Sequence, residues 1–137
     1  KRVSRRKSPK RGRIEEIFVE LVRLPRLVTH PNFSLKALMS QEEVIWRDDG
    51  EGSWRRKGWS VADRLLLDVL SFRDFKETAD YLALLPDSLA YPFTNSDLVS
   101  KLKIRANVAQ KMTYCLRKME LIEVVGKRGR SHLHDII

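Results

Sequence analysis

The sequence predicts an α+β fold, and three observations support this prediction. Residues 61–71 and 106–119 place apolar side chains three and four positions apart, which is the spacing of one buried helix face. Residues 33–46 and 121–125 alternate apolar and polar side chains, as half-buried strands do. A glycine-containing turn follows each of these two alternating stretches, so each is expected to begin a β-hairpin.

The charged residues are unevenly distributed along the 137-residue chain. The 27 basic and 18 acidic side chains give a net charge of +9. Residues 1–13 contain eight basic side chains and no acidic one, and residues 92–137 contain nine basic and four acidic ones. The middle, residues 14–91, carries ten basic and fourteen acidic side chains. Basic ends around a mildly acidic middle indicate a polyanionic partner, which we expect to be nucleic acid.

The composition also bears on where the protein works. No apolar run approaches the roughly 20 residues that a membrane span requires, so no membrane partner is expected. Cys115 is the only cysteine, which excludes an intrachain disulfide and predicts a cytoplasmic location. Because the sequence begins at Lys1 rather than at Met, a larger parent protein is one expectation, and a homodimer is the other expected assembly.

Three segments are expected along the chain. The first two are a basic arm, residues 1–13, and an extension, residues 14–60. Residues 1–13 should be a basic flexible arm or linker, since Val3 is their only large apolar side chain. Such an arm either binds phosphates or acts as a solvated spacer, and composition favours neither. Residues 14–60 are predicted to form an N-terminal helix, ended at Leu24 by the proline that follows, and a β-hairpin with its tip near Gly50.

The hairpin tip suggests an additional nucleic-acid contact. Trp54 and Trp59 flank three cations, and stacking faces beside positive charge are typical of sites that bind nucleic acid. The three cations are Arg55, Arg56 and Lys57. Buried tryptophan beside exposed arginine is also common in hairpins that bind nothing, so the structural interpretation stays open.

The acids of the same tip partly match a nuclease site. Asp48, Asp49 and Glu51 lie near Lys57, and carboxylates beside a lysine hold Mg²⁺ in restriction-type nucleases. Those sites require an acid two positions before the lysine, where this chain has Arg55. Turn formation explains these acids better, so nuclease activity is not expected.

The helix predicted over residues 106–119 carries the functional prediction. Its apolar side packs inward, while its other side has no acid before Glu120. In the DNA major groove, Asn and Gln can pair with adenine, and Lys and Arg can bind guanine or phosphate. We predict that the contacts are made by Arg105, Asn107, Gln110, Lys111, Tyr114, Arg117 and Lys118.

The order of elements from Phe93 to His134 resembles the winged helix-turn-helix family. A capping sequence at 94–97 begins a short helix, a turn containing Ile104 leads into the cationic helix, and two strands follow around the basic loop 126–130. The resemblance implies that residues 61–137 form a winged-helix domain whose second helix enters the major groove.

The resemblance also implies a role for the basic loop. In the family this hairpin, the wing, lies along the phosphate backbone, which assigns that contact to Lys127, Arg128 and Arg130. The family places one helix before the two-helix motif, and this sequence offers two candidates, residues 61–71 and 74–85. Both are expected to be scaffold.

The predicted fold is therefore a winged helix-turn-helix with an N-terminal helix and β-hairpin extension. The predicted function is sequence-preferring binding of double-stranded DNA, as in transcription regulation, without enzymatic activity or cofactor. The alternative is a protein-interaction or regulatory winged-helix domain of a larger enzyme. His132 and His134 share a strand face without a third ligand nearby, so exposed histidines are expected there rather than a metal site.

Overall fold

A computed structural model describes residues 4–137, so part of the predicted arm, residues 1–3, lies outside the described residues. The chain divides into two compact units. We call the first the helical unit; it comprises the chain up to Leu35 together with Phe75–Ile137. We call the second the hairpin unit; it comprises Lys36–Asp74 and contains all three tryptophans.

Within residues 4–137, the helical unit contains four α-helices and one small sheet. The helices are α1 (Ile17–Leu21), α2 (Thr78–Leu82), α3 (Asn95–Leu102) and α4 (Ala106–Lys118). A 3₁₀ turn at Ile14–Glu16 precedes α1, so the first helix begins where predicted but ends before the predicted Leu24. The core is built from fully buried side chains of all four helices, including Phe18, Tyr81, Leu98, Met112 and Leu116, together with Phe75, which ends the strand before α2.

Helices α3 and α4 form the part of the chain that local sequence signals predicted. The hydroxyl of Thr94 accepts a hydrogen bond from the Asp97 N–H, and the Asp97 carboxylate accepts one from the Thr94 N–H, which confirms the capping box. Ile104 is buried in the turn, as expected. The Thr113 hydroxyl of α4 donates to the Asn95 side-chain oxygen at 2.9 Å, which fixes α4 against the start of α3.

The C-terminal hairpin consists of β3 (Ile122–Arg128) and β4 (Ser131–Ile136), paired antiparallel. Its turn is only two residues long, with Gly129 at a φ of 63°. The predicted five-residue loop over 126–130 is therefore too long, because the backbone pairs Lys127 with His132 and Arg128 with Ser131. Phe93 bridges to His134 through two backbone hydrogen bonds and ties this hairpin to the segment before α3.

The hairpin unit is formed by β1 (Leu35–Asp48) and β2 (Trp59–Phe75), a two-stranded antiparallel sheet. The hairpin was predicted, but its return strand is much longer than expected. At its tip, Gly50 donates to the Gly58 carbonyl, and a 3₁₀ turn spans Trp54–Arg56. Gly52 is required there, because a Cβ at this position would clash with the Trp59 carbonyl.

The predicted winged helix-turn-helix fold with a helix and hairpin extension is wrong. Within residues 4–137, the regular structure is mostly sheet, in two antiparallel hairpins, with only a few short helices. The helix predicted over 61–71 is part of strand β2, and the helix predicted over 74–85 shrinks to the five residues of α2. The error has a physical cause: the apolar run from Leu65 to Leu70 satisfies both helical spacing and the pattern of a strand that is apolar on two faces.

Candidate nucleic-acid interface

Helix α4 is amphipathic, and its orientation is fixed by the side that it buries. Val108, Ala109, Met112, Cys115 and Leu116 are 1% exposed or less. The opposite side, which we call the α4 polar face, consists of Asn107, Gln110, Lys111, Tyr114, Arg117 and Lys118. All six side chains reach the surface, although Lys111 is half-buried. The structure therefore brings six of the ten main predicted contact residues together on one helix without any acid.

The N-terminal end of α4 contacts the start of the helical unit. Arg105, which precedes α4, forms an ion pair with Glu16 at 3.5 Å. The Arg13 guanidinium donates to the Leu102 carbonyl at 2.6 Å, at the end of α3. These two contacts fix the last residue of the predicted basic arm beside the α3–α4 turn. Arg105 is exposed, but its charge is already partly balanced by Glu16.

The C-terminal end of α4 borders a shallow groove of about 340 Å³. Tyr114, Arg117 and Lys118 line one side of it, and the Lys118 ammonium lies 5.6 Å from the centre of the Tyr114 ring. Glu120 and Glu123 line the same groove. Arg117 and Lys118 therefore share this groove with two carboxylates, which weaken the positive potential at the C-terminal end of the α4 polar face.

The β3–β4 cations do not form one cluster. Arg128 donates to the Asp97 carboxylate at 3.2 Å, which connects the hairpin to the capping box of α3. The hydrogen bond from the Thr94 N–H holds the pKa of Asp97 below its ordinary value, and the Thr94 hydroxyl and Arg128 add to this effect. Within residues 4–137, Lys127 and Arg130 have no acidic partner, so they are the available cations of this hairpin.

The additional cations predicted at 55–57 belong to the hairpin unit. The Arg55 guanidinium lies 5.4 Å from the centre of the Trp54 ring, and Trp54 itself is 84% exposed. The Arg56 guanidinium lies 5.1 Å from the centre of the Trp46 ring, so the ring partly covers one face of this guanidinium. Lys57 occupies the left-handed backbone region at a φ of 51°. Trp54 with Arg55 is thus the accessible pair at this tip.

One acid of the hairpin tip, Asp49, stabilises the turn. The Asp49 carboxylate accepts hydrogen bonds from the Ser60 hydroxyl at 2.7 Å and from the Glu51 N–H at 3.0 Å. These bonds, that of Ser60 first, lower the pKa of Asp49. Across residues 4–137, no three His, Cys, Asp or Glu side chains lie close enough together to hold a metal ion.

Two buried polar groups lie behind the α4 polar face. His134 is 3% exposed, so the prediction of exposed histidines is wrong for this residue and correct for His132. Burial lowers the pKa of His134, and the nearby charges of Arg117 and His132 lower it further. Cys115 is a core residue, as predicted, and burial raises the pKa of its thiol to about 11.

Sequence reasoning missed the acidic partners of the predicted contact residues. Glu16 lies 89 positions before Arg105 and Asp97 lies 31 positions before Arg128 in the sequence. Glu16 and Asp97 carry recognisable local signals, as a first-turn acid and a capping-box acid, but neither signal identifies a distant arginine. Only the folded chain brings these pairs together.

None of the helices found in residues 4–137 combines the length and the apolar character that crossing a membrane requires. That finding agrees with the absence of a long apolar run in the sequence.

Comparison with known proteins gives a family but no described activity. The chain is 32% identical over 130 residues to a protein of Treponema pallidum (strain Nichols) that is named only "Uncharacterized protein". The matched region covers 94% of this chain and 51% of the relative, so the chain spans about half the length of that protein. No solved structure matches the chain. Residues 1–76, more than half of the sequence, match the family described as "Domain of unknown function (DUF8091)", and the chain therefore belongs to this family.

Proposed function

We propose that this protein is a double-stranded DNA-binding module, without enzymatic activity of its own, that works in the cytoplasm. The single observation that carries the proposal is the α4 polar face. A rigidly packed helix of 13 residues presents amide, phenol and cationic side chains along one side, and it contains no acid. A helix of this kind has the width and chemistry to enter the major groove.

The contacts divide into two classes by chemistry. Asn107 and Gln110 lie in the first half of α4, and their amides can pair with adenine edges. Arg117 and Lys118 lie at its end, where cations can bind phosphates and fix the position of the helix on the duplex. The cation pair Lys127 and Arg130 of the β3–β4 hairpin provides a second phosphate contact, whereas Arg105 and Arg128 would first have to exchange their acidic partners.

A fluorescence anisotropy titration with a labelled duplex of mixed sequence tests the proposal. Replacing Arg117 and Lys118 by Gln should weaken binding and reduce the slope of log affinity against log salt by about two, because two phosphates are no longer neutralised. The matched control replaces two exposed cations near α1, Arg23 and Arg26, by Gln, and should leave the slope unchanged. Absence of binding to any duplex at low salt would disprove the function.

A second variant separates base contacts from phosphate contacts. Asn107→Ala with Gln110→Ala should retain binding to mixed-sequence DNA. It should lose preference for a selected site by about 1–3 kcal/mol for each bidentate pair removed. Selection of the preferred site with the unaltered chain, followed by titration of both proteins, measures this difference.

A second candidate function is a protein-interaction module within a longer polypeptide. The observation in its favour is the relative from Treponema pallidum, which is about twice as long as the matched region. Replacing Lys127 and Arg130 by Glu distinguishes the two functions. This double replacement should lower the affinity for DNA if these cations bind phosphates. It should leave the affinity for DNA unchanged if the two cations bind a protein partner instead.

A further inference from the structure

Strand β2 exposes a series of large apolar side chains. Leu66 and Leu70 are each 64% exposed and Phe72 is 61% exposed. Leu65 and Leu67 are also more than 40% exposed. An isolated two-stranded hairpin is marginally stable, and long exposed apolar strands are sites of association. This surface therefore requires a covering partner.

The apolar side chains lie on both faces of the hairpin. Lys36 forms an ion pair with Asp74 at 3.7 Å and lies 4.6 Å from the Phe72 ring, and Arg64 pairs with Glu42 at 3.9 Å. These contacts place even-numbered positions of the two strands on one face. Side chains alternate along a strand, so Leu66, Leu70 and Phe72 share that face, while Leu65, Leu67 and Val69 occupy the other. Strands that are apolar on both faces are typical of the interior of larger sheets.

One edge of β2 is paired with β1, and the described residues place no strand along its other edge. The centre of β1 is polar, with Ser40, Gln41 and Glu42, so the outer edge of β1 is protected by charge. The centre of β2 from Leu65 to Leu70 contains a single charged residue, Asp68. The open edge of β2 is therefore the one suited to receive another strand.

We propose that β2 pairs antiparallel with β2 of a second copy of this chain, forming a four-stranded sheet in the order β1-β2-β2-β1. In the favoured register of this symmetric pair, Val69 lies opposite Val69. This register places Arg64 opposite Asp74 twice, in addition to the ion pairs that these residues form with Glu42 and Lys36 of their own chains, and it places Leu66 opposite Phe72 twice. Both are favourable cross-strand pairs.

The neighbouring registers are less favourable. Sliding one strand by two residues in one direction would place Asp68 opposite Asp68, and sliding it in the other direction would place Arg64 opposite Lys76. Like charges directly opposite each other destabilise a sheet. The proposal rests on the hairpin unit and does not depend on DNA binding.

Cysteine cross-linking tests both the dimer and its register. In a Cys115→Ser background, Val69→Cys should form a covalent dimer under mild oxidation, because its two copies face each other across the pair. Ser40→Cys is the matched control: it is exposed on β1, and in the four-stranded order its two copies lie at least about 14 Å apart, beyond disulfide reach. Multi-angle light scattering of the unaltered chain should give twice the chain mass of 16.0 kDa.

A disrupting variant completes the test. Val69→Lys places two like charges opposite each other and should convert the dimer to a monomer, while the helical unit keeps its circular dichroism. A monomeric mass for the unaltered chain at micromolar concentration would overturn the proposal and assign the surface to a different polypeptide. Cross-linking of Ser40→Cys as efficient as that of Val69→Cys would also overturn it.

Discussion

At the scale of single residues, His134 connects the core to solution pH. Its imidazole is buried beside the Phe93 ring, with 5.6 Å between ring centres, and within the described residues its Nδ1 has no hydrogen-bond partner. Burial lowers the pKa of His134, and Arg117 and His132 act in the same direction. The folded state therefore favours the neutral imidazole more strongly than the unfolded chain does, in which the ordinary pKa is near 6.5.

The free energy of unfolding should decrease as pH falls from about 7.5 to 5.5, because protons bind the unfolded chain more tightly in this range. The stabilising contribution of the neutral imidazole is complete above the unfolded pKa and is lost below it. His134→Leu should remove this part of the pH dependence, and His132→Leu, an exposed neighbour on the same strand, should retain it. Urea unfolding followed by far-UV circular dichroism at several pH values makes the measurement. An identical pH profile in His134→Leu would contradict the assignment.

At the scale of elements, strong local signals gave correct predictions and ambiguous ones did not. Helices α3 and α4 and the turn between them were predicted because Thr94, Asp97 and Ile104 act within a few residues of their own positions. Strand β2 was mistaken for a helix because its apolar run fits the spacing of a helix as well as that of a strand. Pairing with β1 makes this segment a strand. That pairing joins residues that are far apart in the sequence, so a short stretch of sequence cannot reveal it.

Thr94→Ala should destabilise the helical unit by about 1 kcal/mol, the ordinary cost of losing an N-cap hydroxyl. The hydroxyl accepts the Asp97 N–H, and its loss also weakens the reciprocal bond to the Thr94 N–H. Ser96→Ala, which changes an exposed hydroxyl within the first turn of the same helix, should change stability little. Chemical unfolding curves for the two variants compare them directly, and equal stability of both would show that the capping box contributes nothing.

At the scale of the whole molecule, the charge distribution along the chain could be predicted from the sequence. The ion pairs that neutralise some of the basic side chains could not. The basic ends and the mildly acidic middle follow from residue counts. The ion pairs of Arg105 with Glu16 and of Arg128 with Asp97 emerged only on folding, and they reduce the set of free cations that sequence reasoning proposed. The α4 polar face was predicted correctly as a set because a helix converts sequence spacing directly into one surface.

A chain that begins at Arg13 should bind duplex DNA with a smaller salt dependence than the full chain. Arg13 retains its bond to the Leu102 carbonyl, so the helical unit should keep its stability while seven cations of the arm are deleted. Each phosphate that is no longer neutralised should lower the salt slope by about 0.9. Titrations of both chains at several salt concentrations measure the difference. Equal slopes would assign the arm the role of a spacer.

The separation into two units has a spectroscopic consequence. Trp46, Trp54 and Trp59 all lie in the hairpin unit, whereas the four α-helices of residues 4–137 lie in the helical unit. Tryptophan fluorescence therefore reports on the hairpin unit alone. The native chain can be used without an added fluorophore to monitor the unit that contains β2. Trp54, being almost fully exposed, should be quenched readily by small solutes, while the more covered Trp46 and Trp59 report on anything that comes to lie against the sheet.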